Sequence, residues 1–119
     1  MSVSSTALCK LHPDFHMPAD VSVGEGFDAD AYVRRLKESG VDAIVFFAKC
    51  HYGHSYYYTK IGTVHPGLKQ DMLRAMSDAC RKHKLSLVCY YSVFLDTAAV
   101  ERHPHWRLQA TPRTTRLPR

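Results

Sequence analysis

Eight histidines in 119 residues are the first feature that could do chemistry, and six of them fall in close pairs: His12 with His16, His51 with His54, and His103 with His105. Metal binding is the first chemistry to test. A helical HxxxH would place two imidazoles on one face, but His12 and His16 flank Pro13, and no acidic third ligand stands at a recognisable offset, so no metal site is assigned. The stretch Lys49 to Val64, KCHYGHSYYYTKIGTV, offers a different chemistry. Its clustered His, Lys and Tyr side chains supply donors and acceptors for hydroxyl groups together with flat aromatic faces, the combination that a sugar ring needs. Packing is the plainer role for any one of Tyr56, Tyr57 and Tyr58, since an aromatic body with a wet tip covers a core edge well. Hydrolysis of a glycosidic bond would need two carboxylates flanking it. Asp14 and Asp96 are the candidates at strand ends, and each has a structural alternative, Asp14 as a turn acceptor and Asp96 as a helix cap. No GxSxG elbow surrounds Ser55 or Ser92. No catalytic residue is assigned, and no cofactor is called for.

These residues need elements to hold them. Leu8 to His16 reads as a weak first strand, because Pro13 cannot donate to a ladder. Met17 to Gly26 is a loop, and Phe27-Asp28 opens a helix with Asp28 as N-cap and Phe27 stapled to Tyr32. Val33 and Leu36 continue its apolar stripe, and Gly40 supplies a left-handed end. Val41 to Ala48, VDAIVFFA, is a short, nearly continuous apolar run of the kind buried on both faces of a parallel sheet. The polar loop then follows a strand's C-terminal end, where α/β proteins place their sites. His65-Pro66 reads as the start of a second helix, with Leu68, Met72, Met76, Ala79 and Cys80 on one stripe and Lys82 and Lys84 in its last turn. Leu85 to Leu95 is a third strand, and Asp96 to Trp106 a short helix or turn. Strand, helix, strand, helix, strand is a parallel β/α array.

The same residues resemble a known family. DFH (Asp14 to His16), FDADAYVRRLKESGVDAIVFFAKCHYGHSYYYTKIG (Phe27 to Gly62), HPGLKQDML (His65 to Leu73) and HPHW (His103 to Trp106) resemble the N-terminal part of the hypothetical glycosyl hydrolase 6 family. They are similar, more distantly, to the α-L-fucosidase barrels, where a Lys-His-His-Asp-Gly-Phe stretch follows the second strand and Tyr-Tyr-Ser ends the third. The resemblance implies a (β/α)₈ TIM barrel, of which this chain would hold the first β/α repeats: about three strands and two to three helices over residues 1–106. A whole barrel takes roughly 250 residues and short ones about 200, so the chain would be less than half of one. Lys49, His51 and Gly53 match the fucosidase stretch, whose second histidine contacts the sugar, while Cys50, Tyr52 and His54 depart from it. His16 falls where those enzymes end the first strand in a sugar-contacting histidine, and Tyr91 and Ser92 match the end of the third. The implied substrate-binding set is therefore His16, Lys49, His51 and Tyr91. The implied nucleophile belongs to a fourth strand and the acid/base lies further on, so this chain is expected to be an inactive fragment of a glycoside hydrolase. The alternative is a small carbohydrate-binding or self-associating module without catalysis, its uncovered strand edges being the means of association. Lys84 stands where the families have the glycine that closes the second helix.

Composition sets the remaining expectations. Hydrophobic residues make up 45% of the chain and charged ones 23%, the ordinary range for a globular protein. The net charge of +5 is concentrated at the end: Arg107 to Arg119 holds four Arg and no acid, leaving 12 Lys+Arg (16 minus 4) against 11 Asp+Glu elsewhere. With no basic stripe in the remainder, nucleic acid is not an expected partner, and residues 107–119 are expected to form a disordered basic tail. No stretch approaches the ~18 apolar residues of a membrane span. Met1 to Ala7 lacks the basic flank and apolar core of a signal peptide, and Cys9, Cys50, Cys80 and Cys89 form no CxxC pair, so a reduced, cytoplasmic protein is expected.

Overall fold

The apolar run VDAIVFFA has two faces to bury and becomes the middle of the sheet. The computed structural model describes residues 9–109, and in chain order its elements are β1 (Lys10–Leu11), α1 (Ala29–Glu38), β2 (Ala43–Lys49), β3 (His54–Ser55), β4 (Thr63–Val64), α2 (Met72–Lys82), β5 (Ser86–Tyr91), α3 (Thr97–Arg102) and a 3₁₀ turn, Pro104–Trp106. β2 is buried at every residue but Val45. β1 and β5 flank it in parallel, with Leu11 beside Ile44 and Phe47 beside Tyr90. β3 adds to β2 in the opposite direction through Lys49 and Ser55, and β4 runs parallel to β3. Among the described residues the result is a mixed α/β unit with one sheet and three α-helices.

One core joins the layers. Val33 of α1 and Met72, Met76, Ala79 and Cys80 of α2 pack with Ile44 and Phe46 of β2. Asp30 ties the helices together outside it, meeting Lys82 at 2.9 Å and His83 at 2.8 Å. α1 starts as its sequence predicts: Asp28 accepts the Ala31 N–H at 2.9 Å, and the Phe27 and Tyr32 rings lie 5.6 Å apart. Three boundaries differ from expectation. α2 begins at Met72 with Asp71 as its N-cap, because residues 67–69 are drawn alongside Val23, whose N–H donates to Gly67 O and whose carbonyl accepts from Lys69 N. β1 is only two residues long and ends before Pro13. β5 stops at Tyr91; Ser92 turns the chain by donating its hydroxyl to Leu95 O at 2.6 Å, and Val93, Phe94 and Leu95 stand exposed. All four cysteines are free, Cys50 and Cys80 buried and Cys9 and Cys89 exposed. From residue 110 onward, the expected basic tail lies outside the described residues.

The two long helices end in one motif, solved with two different residues. After α1, Gly40 N–H donates to Lys37 O and Val41 N–H to Leu36 O; after α2, Lys84 N–H donates to Arg81 O and Leu85 N–H to Cys80 O. The motif demands a left-handed residue, which is Gly40 at φ +82 in the first and Lys84 at φ +53 in the second. A side chain costs about 1–2 kcal/mol there, partly offset by the greater freedom glycine has when unfolded. Lys84→Gly is therefore expected to raise stability by about 0.5–1 kcal/mol, read as a higher urea midpoint at unchanged slope. A lower midpoint would contradict it.

Candidate functional site

A bulge aims the side chains at the end of β2. Pairing with β5 runs residue for residue to Phe47 and Tyr90, then skips, so that Lys49 rather than Ala48 sits beside Tyr91. The buried Lys49 ammonium lies 4.5 Å over the Tyr91 ring and 2.5 Å from Asp96 Oδ2. Asp96 also caps α3, its Oδ1 accepting Ala99 N–H at 2.8 Å. Burial opposes ionisation of Asp96, but the bonds from Lys49 and from Ala99 N–H outweigh it and hold the carboxyl below its usual range. The first amides of α3 dock on the loop after β2, Thr97 N–H on His51 O at 3.2 Å and Ala98 N–H on Tyr52 O at 3.0 Å. Gly53, at φ +86, lets them approach, since a Cβ there would overlap Asp96 and Ala98.

On the other side of the β2 end, His16 and His51 stack with ring centroids 3.7 Å apart and planes 20° from parallel. His51 N–H donates to His16 Nδ1 at 3.2 Å, so the proton of a neutral His16 sits on Nε2. Burial first, and then His51, hold His16 below the ordinary histidine value of 6.5. Asp14, 3.6 Å from His16 Nε2, pulls the other way but is 83% exposed. Phe47 and Tyr90 stack at 4.2 Å beneath, and His12 tilts against both at 5.7 Å. His51 also opens onto a groove of about 460 Å³ between the β5–α3 turn and the 3₁₀ turn, walled by Phe94, Leu95, Asp96, Glu101, Trp106 and Arg107.

The loop carrying His16 is held from below by buried polar groups. Tyr56 Oη donates to Phe15 O at 2.9 Å and accepts Met17 N–H at 2.9 Å. His65 Nε2 meets Met17 O at 3.2 Å and Pro18 O at 2.9 Å, while its Nδ1 accepts Gly67 N–H at 3.0 Å. Burial, chiefly, pushes the Tyr56 phenol far above its ordinary range, so it acts as a neutral hydroxyl.

Of the four residues singled out in the sequence, the fold gathers two pairs on either side of one strand end: His16 with His51, and Lys49 with Tyr91. Lys49 is also engaged by Asp96. Sequence reasoning missed Phe94 and Trp106 as groove walls and Tyr90 and His12 as the floor of the histidine pair. For His12, Tyr90 and Phe94 the signal was position, at or just beyond the C-terminal end of a parallel strand; Trp106 lies past α3 and carried no such signal. Among the described residues no group of three or more His, Cys, Asp or Glu is placed to hold a metal ion, and no helix is long and apolar enough to cross a membrane.

The sequence profile of the hypothetical glycosyl hydrolase 6 family matches residues 28–114. The chain belongs to that family. Within the stretch matched by this hypothetical glycosyl hydrolase 6 family lie Lys49, His51 and Tyr91, while His16 precedes it. Solved structures agree: α-L-fucosidase isoenzyme 2 from Paenibacillus thiaminolyticus superposes with a TM-score of 0.78 at 30% identity, covering 84% of this chain and 15% of that one. The α-L-fucosidase AlfC from Lactobacillus casei gives 0.54 at 31% identity, over 59% of this chain and 23% of that one. The Thermotoga maritima α-fucosidase gives 0.55 at 27% identity, over 60% and 18%. The chain thus spans under a quarter of each of these structures. No curated protein matches it.

Proposed function

We propose that this chain is the sugar-binding start of a (β/α)₈ glycoside hydrolase barrel whose full-length relatives act on fucose-like or galactose-like sugars, and that the 119-residue chain binds without hydrolysing. The observation that carries the reading is the stacked His16–His51 pair at the C-terminal ends of parallel strands, continuous with a groove that has Phe94 and Trp106 in its walls. An imidazole N–H donates to a hydroxyl, and an indole or phenyl face takes the C–H surface of a pyranose. The barrel assignment is supported by three parallel strands, β1, β2 and β5, linked through α1 and α2, and by the likeness to fucosidases. Hydrolysis needs two carboxylates about 5–10 Å apart across the bond. Asp96 is engaged by Lys49 and by its helix, and Asp14 stands 83% exposed in solvent rather than in a shielded site, so the two do not make such a pair. Four free cysteines fit a reducing, cytoplasmic setting.

The test uses 4-nitrophenyl α-L-fucopyranoside, the substrate bound to a variant of AlfC. We expect no nitrophenol release, while added L-fucose shifts the His16 and His51 ring signals with about millimolar affinity. Nitrophenol release would sink the non-catalytic reading. Silent histidines would sink the binding one.

A second reading, self-association, is favoured by one observation. Val93 is 81% and Phe94 77% exposed beside β5, which among the described residues pairs on one side only. Sedimentation across a concentration series should then show a dimer that dissociates on dilution, and a monomer at every concentration removes this reading.

A further inference from the structure

His16 belongs to no helix or strand, and the bonds that fix its segment come from elsewhere in the chain. Tyr56, fully buried at the start of the β3–β4 connection, bonds both backbone neighbours of His16: it takes the carbonyl of residue 15 and the amide of residue 17 with the same oxygen. His65, also buried, continues the clamp. Its Nδ1 is filled by Gly67 N–H, so its one proton lies on Nε2 and is shared between Met17 O and Pro18 O. The two clamping rings lie nearly parallel, 5.7 Å apart, and the Phe15 ring meets Tyr56 edge-on at 4.8 Å. The backbone on both sides of His16 is therefore anchored to one buried wall.

We infer that Tyr56 and His65 are positioning residues for His16, setting its ring against His51 so that Nδ1 takes the His51 N–H and Nε2–H is left for a ligand oxygen. The role of His16 toward a ligand rests on the sugar-binding reading above; the clamp does not. A neutral hydroxyl suits this place because it gives one bond and takes one, whereas a phenyl ring would leave a buried amide and carbonyl without their partner. The groups facing His16 are His51, Phe47, Tyr90 and, from its own segment, His12 and Asp14.

The test is Tyr56→Phe in the full chain, followed through the imidazole NMR signals of His16. The variant is expected to lose the single Nε2–H tautomer, to shift the His16 titration upward toward 6.5 as the ring is freed to solvent, and to weaken fucose binding about threefold to tenfold. Val33→Ala, which opens the core in α1 but makes none of these bonds, controls for general loosening and should leave the His16 titration in place. Equal movement in both variants, or movement in neither, overturns the inference. Hydrogen exchange in the unaltered chain decides the matter should Tyr56→Phe not fold: the Met17 amide is expected to exchange as slowly as those of β2, and exchange at the rate of a free loop amide overturns the clamp. Failure of the unaltered chain to bind fucose would count against the sugar reading alone, since titration and exchange need no sugar.

Discussion

Lys49→Met is expected to destabilise the chain by about 2–4 kcal/mol and to unseat α3 before the rest unfolds. Both partners of the pair are largely buried, with side chains 9% and 19% exposed, so removal of the cation leaves a carboxylate in a site that burial already disfavours. The cost falls below that of a wholly buried pair because Asp96 keeps the Ala99 N–H. The ammonium also leaves the face of Tyr91, a contact worth about 0.5–1 kcal/mol where solvent reaches it. Urea unfolding followed by circular dichroism measures the loss. Asp96→Asn in the Lys49→Met background should recover part of it, because asparagine caps a helix nearly as well and carries no charge. A loss under about 0.5 kcal/mol would mean that the pair behaves as an ordinary surface ion pair.

Gly53→Ala should do comparable damage from the other side of the same seat, about 2–4 kcal/mol. Its backbone lies at φ +86, and the new methyl would meet Asp96 and Ala98, which cannot yield without lifting the start of α3. Both substitutions break one docking, so the second should cost little once the first is made. Additive losses would show that Lys49 and Gly53 serve separate structures. Circular dichroism of the double variant against the two single ones decides between these outcomes.

Much of the frame was legible in the residues because its signals are local. Asp28, Val33 and Gly40 mark α1 within one helix length, and an unbroken apolar run such as VDAIVFFA has no amphipathic alternative to a buried strand. The two departures have different causes, one a distant partner and one a local bond. Pro66 suits a first helical turn, yet its neighbours pair with Val23, more than 40 residues away. Val93 to Leu95 continues an apolar run but leaves the sheet at Ser92, because the serine bonds forward to Leu95. The site was legible as residue types at strand ends and not as contacts. No spacing rule joins Lys49 to Asp96, 47 positions apart. Nor does sequence separate Tyr56 from its two neighbours, although one is wholly buried and Tyr58 is 60% exposed.

The 3₁₀ turn that closes the groove contains Trp106, the only tryptophan in the chain, stacked on His103 at 4.1 Å. The rim is thereby fitted with its own optical probe. Excitation at the red edge of protein absorbance selects one indole, and its emission colour and polarisation report a single place in the molecule: whatever fills the groove, or lifts the short helix before it, is visible without a label.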